Sequence, residues 1–428
     1  MTTRGLLADT RPLQIPHFRR LWLANIVTVV GAQLTVVAVP AQIYSITGSS
    51  AYVGLTGVFG LVPLVVFGLW GGALADHMDR RTLLMITTTG LIVTSGLFYV
   101  QAATGADNVW LLLGLFSVQQ AFFAVNQPTR SAVLPKLVPG HLLPAANSLN
   151  MTVMQAGGIA GPLVGGALIP IVGFSWLYAI DTVTLFATLF AVVGLPRLPV
   201  EGAVGAPGLG AVIDGFRYLR TQPVLMMSFV VDIIAMVFGM PRALFPEMAH
   251  LDFGGPSEGG LAFALLFAAI PAGAVLGGVL SGWVSRVERQ GLAVIVSIIV
   301  WGLAMVGFGV SALLAPTVPG MLAVAVLMLA IGGAADMSSA AFRMSMLMTA
   351  ASDEVRGRLQ GIFIVVVAGG PRVADVAHGA TAAVTGAAVA AAGGGVLVVV
   401  GTVAAALLVP AFVRYRVTRP AGPASATP

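Results

Sequence analysis

The chain has 428 residues, 58% hydrophobic and 9% charged, with no cysteine and a formal net charge of +5. A soluble domain carries about 25% charged residues, so this chain has too little polar surface to coat a water-soluble globule. The composition also excludes disulfides and thiol chemistry, and the basic residues fall in short clusters between apolar runs, not in the single patch of a nucleic-acid binder.

A helix needs roughly 20 apolar residues to cross a bilayer. A first segment, 1–19, holds no sustained apolar run, and the run after it is too long for the core of a cleavable leader. Runs of spanning length then predict helices at 20–45, 51–75, 83–103, 109–129, 146–170 and 175–195. A Pro- and Gly-rich interruption follows at 196–222, expected as a linker whose amphipathic stretch Val212 to Leu219 forms a short interfacial helix. Six more runs lie at 223–247, 259–284, 291–314, 319–342, 358–386 and 394–413, within a second block, 223–413. Gly369-Gly370-Pro371 and charged residues interrupt the eleventh. The remaining 414–428, Pro/Ala-rich from Pro420, is expected to be disordered.

The Lys and Arg positions test this count. Nineteen of the 21 lie before, after or between alternate spans, from Arg4 to Arg20 through Arg80-Arg81, Arg130, Lys136 and Arg197 to Arg414, Arg416 and Arg419. The intervening loops hold none. Positive residues stay on the cytoplasmic side, so both termini are expected there. Arg242 and Arg372 are expected within spans.

The two blocks echo each other. Gly72-Ala-Leu74-Ala-Asp76 precedes Gly278-Val-Leu280-Ser-Gly282 by 206 residues, Arg130 precedes Arg343 by 213, and Gly161-Pro162 precedes Gly370-Pro371 by 209. Similar offsets at equivalent topological places imply a duplication, a transporter plan in which the substrate site lies between the halves.

At these residues the sequence resembles the major facilitator superfamily. Gly72-Ala-Leu74-Ala75-Asp76-His-Met-Asp79-Arg80-Arg81 is similar to that superfamily's motif between spans two and three, with Asp79 where glycine is usual, which puts the tight turn there in question. Gly157-x-x-x-Gly161-Pro162-x-x-Gly165-Gly166 is similar to the motif of the drug:proton antiporter branch. His17-Phe18-Arg19, Val37 to Ile43, Val53-Gly54-Leu55, Leu143 to Asn147 and Gly357-Arg358 resemble the enterobactin exporter group. The resemblance implies an all-α membrane protein of the bacterial inner membrane, twelve transmembrane helices in two pseudo-symmetric six-helix bundles, monomeric, surrounded by lipid and exchanging a small-molecule substrate for protons.

It also implies roles. Gly72 and Asp76 with Arg80 and Arg81 form a cytoplasmic latch, joined by Arg130, Asp336 and Arg343; positive-inside anchoring accounts equally well for the arginine pair. Gly157, Gly161 and Gly165 recur every fourth residue as a smooth helix stripe, and Pro162 favours a kink.

Ionisable residues inside spans are the strongest functional leads, because burying charge in lipid is costly. Asp232 lies near the middle of the seventh span and is the first candidate for proton coupling, against a structural acid paired with a neighbouring helix. Arg372 and Asp375, three apart in the eleventh, are the second; they can pair on one face. His378 follows them as weaker evidence. Asp181 in the sixth span is expected to be structural, away from the cavity, and Met226, Met227, Met236 and Met240 to be ordinary packing. Gln33, Gln119 and Gln120 are candidate polar cavity residues. The chain carries no phosphate-binding loop, paired His/Glu metal motif or nucleophile elbow, so neither an enzyme, a cofactor nor ATP as direct energy source is expected. A lipid or lysolipid flippase of the same fold and a transport-inactive membrane sensor or scaffold are the competing readings.

Overall fold

The computed structural model of the protein describes residues 9–198, 217–350 and 353–416. In chain order its long helices are α1 (Pro16–Thr47), α2 (Ser50–His77), α3 (Arg80–Ala103), α4 (Val109–Leu137), α5 (Leu143–Val193), α6 (Pro223–Gly239), α7 (Leu261–Val279), α8 (Gln290–Leu314), α9 (Met321–Ala350), α10 (Asp353–Thr385) and α11 (Ala387–Leu408).

Their ends follow from local chemistry. Pro16 opens α1, where its missing N–H costs nothing, and Gly48 closes it at φ 63°. The side chains of Ser49 and Asn108 accept from the first free N–H groups of α2 and α4. Asp79 does the same for α3 through Thr82 N, with φ −54°. The position where the motif usually has glycine therefore needs no left-handed backbone, and the carboxylate there is a helix cap.

Among the described residues, ten helical segments are long and apolar enough to cross a membrane. One of them contains α5, whose 51 residues would extend about 77 Å at 1.5 Å each, more than twice the hydrocarbon thickness. It folds back at Gly173 (φ 77°, ψ 169°) into arms at 143–172 and 174–193, so the expected loop at 171–174 is a single bend. Helix α10, at 33 residues, adds a further element of spanning length. The set accommodates the twelve spans.

Several boundaries differ from expectation. Helix α10 runs unbroken through Gly369-Gly370-Pro371; in lipid there is no water to take freed backbone groups, so a helix persists through a proline that would end it in solution. Helix α11 begins at Ala387, and the loop expected at 387–393 shrinks to Gly386 (φ 85°). Helix α6 stops at Gly239 before Met240-Pro241, and short turns at Arg242–Leu244, Phe245–Glu247 and Met248–Asp252 follow. Arg242 thus sits in a short turn inside the candidate span Pro223–Asp252. The linker over 199–216, with most of its expected interfacial helix, falls outside the described residues, as does the tail over 417–428; the end of that stretch, 217–220, is helical, and Leu219 is buried against Leu225, Phe229 and Leu347.

The helices pack in two groups. Helices α1–α5 contact one another, with α1 along α5 and α2 along α4, while α6–α11 do likewise through α8 with α9, α8 with α11 and α6 with α10. Two seams join the groups, α2 with α10 and α5 with α7. Among the described residues, Arg19-Arg20, Arg80-Arg81, Lys136, Arg197, Arg286 and Arg289, and Arg414 lie at the same end of the helices, called the basic end below.

Candidate functional site: a cavity between the halves

A cavity of about 470 Å³ runs inward from the basic end, at Phe18, Leu134 and Leu137, to Gln33, Gln119, Gln120 and Arg372 at mid-depth. Its described lining comes from α1, α3, α4 and both arms of α5, with Arg372 of α10 reaching in from the other half. Gln33, Gln119 and Gln120, the candidate polar cavity residues, are all in its wall. Asn25, Asn126, Gln127, Asn147 and Asn150 add further amides. The amides and aromatic rings offer both donors and acceptors, and Arg130, Arg372 and Asp181 add ionisable groups to the same wall.

Beyond mid-depth the cavity is closed by the seams. Ser50 to Gly60 of α2 meets Arg372 to Gly379 of α10 so closely that a Cβ on Gly57 would lie 2.1 Å from the Arg372 carbonyl oxygen. A Cβ on Gly379 would lie 2.6 Å from Ser50 O. At the other seam Gly260 N donates to Gly166 O at 2.8 Å. Ser50 N also donates to the Glu247 carboxylate at 3.2 Å, tying the two halves at that end.

The candidate ionic residues are arranged differently from expectation. Arg372 does not pair with Asp375. It donates to Gln120 Oε1 at 3.2 Å and stands over the Phe116 ring at 5.3 Å, a placement three residues of helical spacing could not reveal because both partners belong to α4. Asp375 is 8% exposed and its backbone packs against Gly54. His378 meets the Phe238 carbonyl at 3.1 Å.

Asp232 forms an ion pair with Arg343 of α9, both side chains buried. It is absent from the described cavity lining. Arg343, expected in the cytoplasmic gate with Asp336, forms this buried pair. Arg130 has the corresponding contact in the first half, donating to Asn25 Oδ1 at 2.8 Å. Asp232 follows Asn25 by 207 residues and Arg343 follows Arg130 by 213, so the repeat extends to a matched side-chain contact, amide in one half and carboxylate in the other.

At the basic end Arg80 Nη1 donates to Ala132 O at 3.2 Å and Arg81 Nη2 to Val193 O at 2.7 Å. Both clamp neighbouring helix ends within their own half. Gly72 and Asp76 lie on α2, and the latch role at these two positions is a proposal. The antiporter-type stripe packs on α1: a Cβ on Gly157, Gly161 or Gly165 would meet Val29 at 2.2 Å, Gln33 at 2.2 Å or Leu34 at 3.0 Å. Gly166 instead faces Ala264 across the seam, at 2.8 Å. Met227, Met236 and Met240 are core packing.

Residues 8–419 match the family described as transmembrane secretion effector. The chain belongs to that family, within the major facilitator superfamily. This secretion-effector chain is 29% identical to the enterobactin exporter EntS of Shigella dysenteriae serotype 1 (strain Sd197), over 81% of each chain. It is 28% identical to that of Salmonella typhimurium (strain LT2), over the same shares. A crystal structure of a mutant of the nucleoside transporter NupG superposes with a TM-score of 0.75 at 12% identity, covering 92% of this chain and 99% of the other. The inward-facing structure of a bacterial homologue of the iron transporter ferroportin gives 0.68 at 13%, covering 91% and 98%. At these identities the likeness speaks to the fold, which is that of a major facilitator transporter.

Proposed function

We propose that this chain is a proton-coupled secondary exporter of an amphipathic small molecule, a siderophore or a drug, in the bacterial inner membrane with both termini cytoplasmic. One observation carries this reading. The cavity, lined among the described residues by the first half and by Arg372 of the second, reaches the basic end, which the positive-inside rule assigns to the cytoplasm, and backbone-close contact of α2 with α10 and α5 with α7 joins the halves beyond mid-depth. Rocking the halves about mid-depth would part those seams and close the basic end, moving the cavity from one face to the other. The identity to enterobactin exporters supports a siderophore-sized cargo and export as the direction.

In this reading Asp232 is the first coupling group and Asp375 the second. A proton on Asp232 releases Arg343, and its loss restores the pair. Arg372, held by Gln120 and Phe116, offers a cation to an acidic or hydroxylated cargo at the head of the cavity.

The test uses everted vesicles from a strain lacking its own exporters, energised by respiration, with proton movement followed by a quenched acridine dye as enterobactin and a drug panel are added. An active cargo should release protons from the vesicle and be accumulated in it. Asp232→Asn should insert and fold, because Asn25 already accepts from Arg130 in the same geometry, but should lose the proton release. Normal proton-coupled uptake by that variant would remove Asp232 from the mechanism. Absence of any cargo-dependent proton movement, with lipid probes crossing the bilayer instead, would favour the flippase reading.

A further inference from the structure

Asp181 stands on the second arm of α5, at a place expected to lie away from the cavity. It is 2% exposed and yet forms part of the cavity wall. Its Oδ2 accepts from Thr35 Oγ1 at 2.7 Å and from Ser95 Oγ at 2.9 Å. Its Oδ1 has no hydrogen-bond partner among the described residues.

Nor does any basic side chain among the described residues reach it. Helix α1 presents Thr28, Gly31 and Thr35 to this arm, and α3 presents Ser95. The neighbouring titratable group is Tyr178, one turn away on the same arm, and its hydroxyl donates to Gln42 at 2.8 Å. Arg130 and Arg372 share the cavity but bond to Asn25 and Gln120.

A buried carboxylate without a partner is not tolerated as a bare charge. Asp232 is neutralised by Arg343. Asp181 has only neutral hydroxyls, which favour a carboxylate without cancelling its charge. No group of three metal-ligating side chains surrounds it among the described residues, and α1 packs closely on one side, where a Cβ on Gly31 would sit 3.1 Å from Oδ1 and 2.1 Å from Thr184 Oγ1.

We infer that Asp181 is a proton-binding site of the N-terminal half, charged and discharged through the cavity and separate from the Asp232–Arg343 pair. On discharge the carboxyl O–H bond breaks, the proton passes to cavity water, and the carboxylate is held by the Thr35 and Ser95 hydroxyls. The role of this proton in transport rests on the exporter reading; its presence does not.

The experiment is infrared difference spectroscopy of the purified full-length chain in lipid as bulk pH is stepped. The wild type should show the C=O stretch of a buried carboxylic acid that disappears on deprotonation, and Asp181→Asn should lack that band. Thr35→Val and Ser95→Ala keep the acid and should each shift the band's frequency by removing a hydrogen bond, which settles the matter even if Asp181→Asn does not fold. An unchanged band in Asp181→Asn, or an unshifted one in both hydroxyl variants, overturns the assignment. Repeating the vesicle assay separates the two readings. A titrating Asp181 band in a chain that moves no cargo leaves the proton site standing and removes the exporter, whereas cargo-driven proton release with the band unchanged in Asp181→Asn does the reverse.

Discussion

Asp79 shows how a single side chain replaces a backbone device. Its carboxylate accepts from Thr82 N at 2.9 Å and Leu198 N at 2.8 Å, so it caps α3 and pins the end of the first half to it. Burial alone would raise this carboxyl, but the hydrogen bonds from Thr82, Leu198 and Arg81 outweigh it and hold the group below its usual range. Loss of such a cap costs about 1 kcal/mol. Asp79→Ala should therefore lower the thermal stability of the purified protein, while Asp79→Asn, itself a good cap, should retain most of it. Because the folded-state value is depressed, the charged cap's contribution is fully present above the ordinary value of about 4 and fades as pH falls through the lower folded one. The advantage of wild type over Asp79→Asn should shrink on acidification below about pH 4; an advantage constant with pH would show that the charge contributes nothing. The glycine-based motif named this position from sequence, but not its partner, because Leu198 lies 119 residues further along the chain.

At the scale of elements, the glycine stripe of α5 is a contact surface for α1. Gly161 holds Gln33 in the cavity wall, and a Cβ there would fall 2.2 Å from Gln33 Cβ. That atom is fixed to the α1 backbone and cannot swing aside, so Gly161→Ala must displace a helix, an overpacking cost of about 1–3 kcal/mol. Gly158, on the same arm, is the internal control, since its nearest such contact is Pro271 at 3.9 Å. Gly161→Ala should cut transport in vesicles at equal membrane content and Gly158→Ala should not; equal activity would mean the stripe is not needed for motion. The helices themselves were legible in the sequence because a bilayer demands twenty apolar residues and penalises charge. Their ends were less so: Ala387 to Ala392 has the composition of helix and loop alike, and only the positive φ of Gly386 places the turn. Helix rotation is not legible from spacing, which matches Arg372 with Asp375 on its own helix and not with Gln120 and Phe116 on α4; the expectation that Asp181 lies away from the cavity rests on its span and not on its rotation.

At the scale of the whole molecule, two seams hold one end shut, and their glycines mark where the halves touch. A Cβ on Gly379 would lie 2.6 Å from Ser50 O and 2.9 Å from Gly54 Cα. Gly379→Ala penalises the arrangement seen here and not one with the seam parted, and each 1.4 kcal/mol confined to one state moves the balance about tenfold. The chain has no cysteine, so Gln33→Cys supplies a single thiol at mid-depth on a clean background. Adding Gly379→Ala should slow its reaction with an impermeant reagent applied from the basic end; an unchanged rate would mean the seam does not control access. The repeat was visible in the sequence as offsets near 209, and the structure extends it to the Asn25–Arg130 and Asp232–Arg343 contacts. That last pair also orders the birth of the protein. Asp232 enters the bilayer 111 residues before Arg343 is made, and a central aspartate costs about 2.5–3.5 kcal/mol on insertion. The second half therefore waits, with a bare acid in lipid, until α9 arrives, whereas the first half has the neutral Asn25 in that place and waits for no later helix to neutralise an acid there.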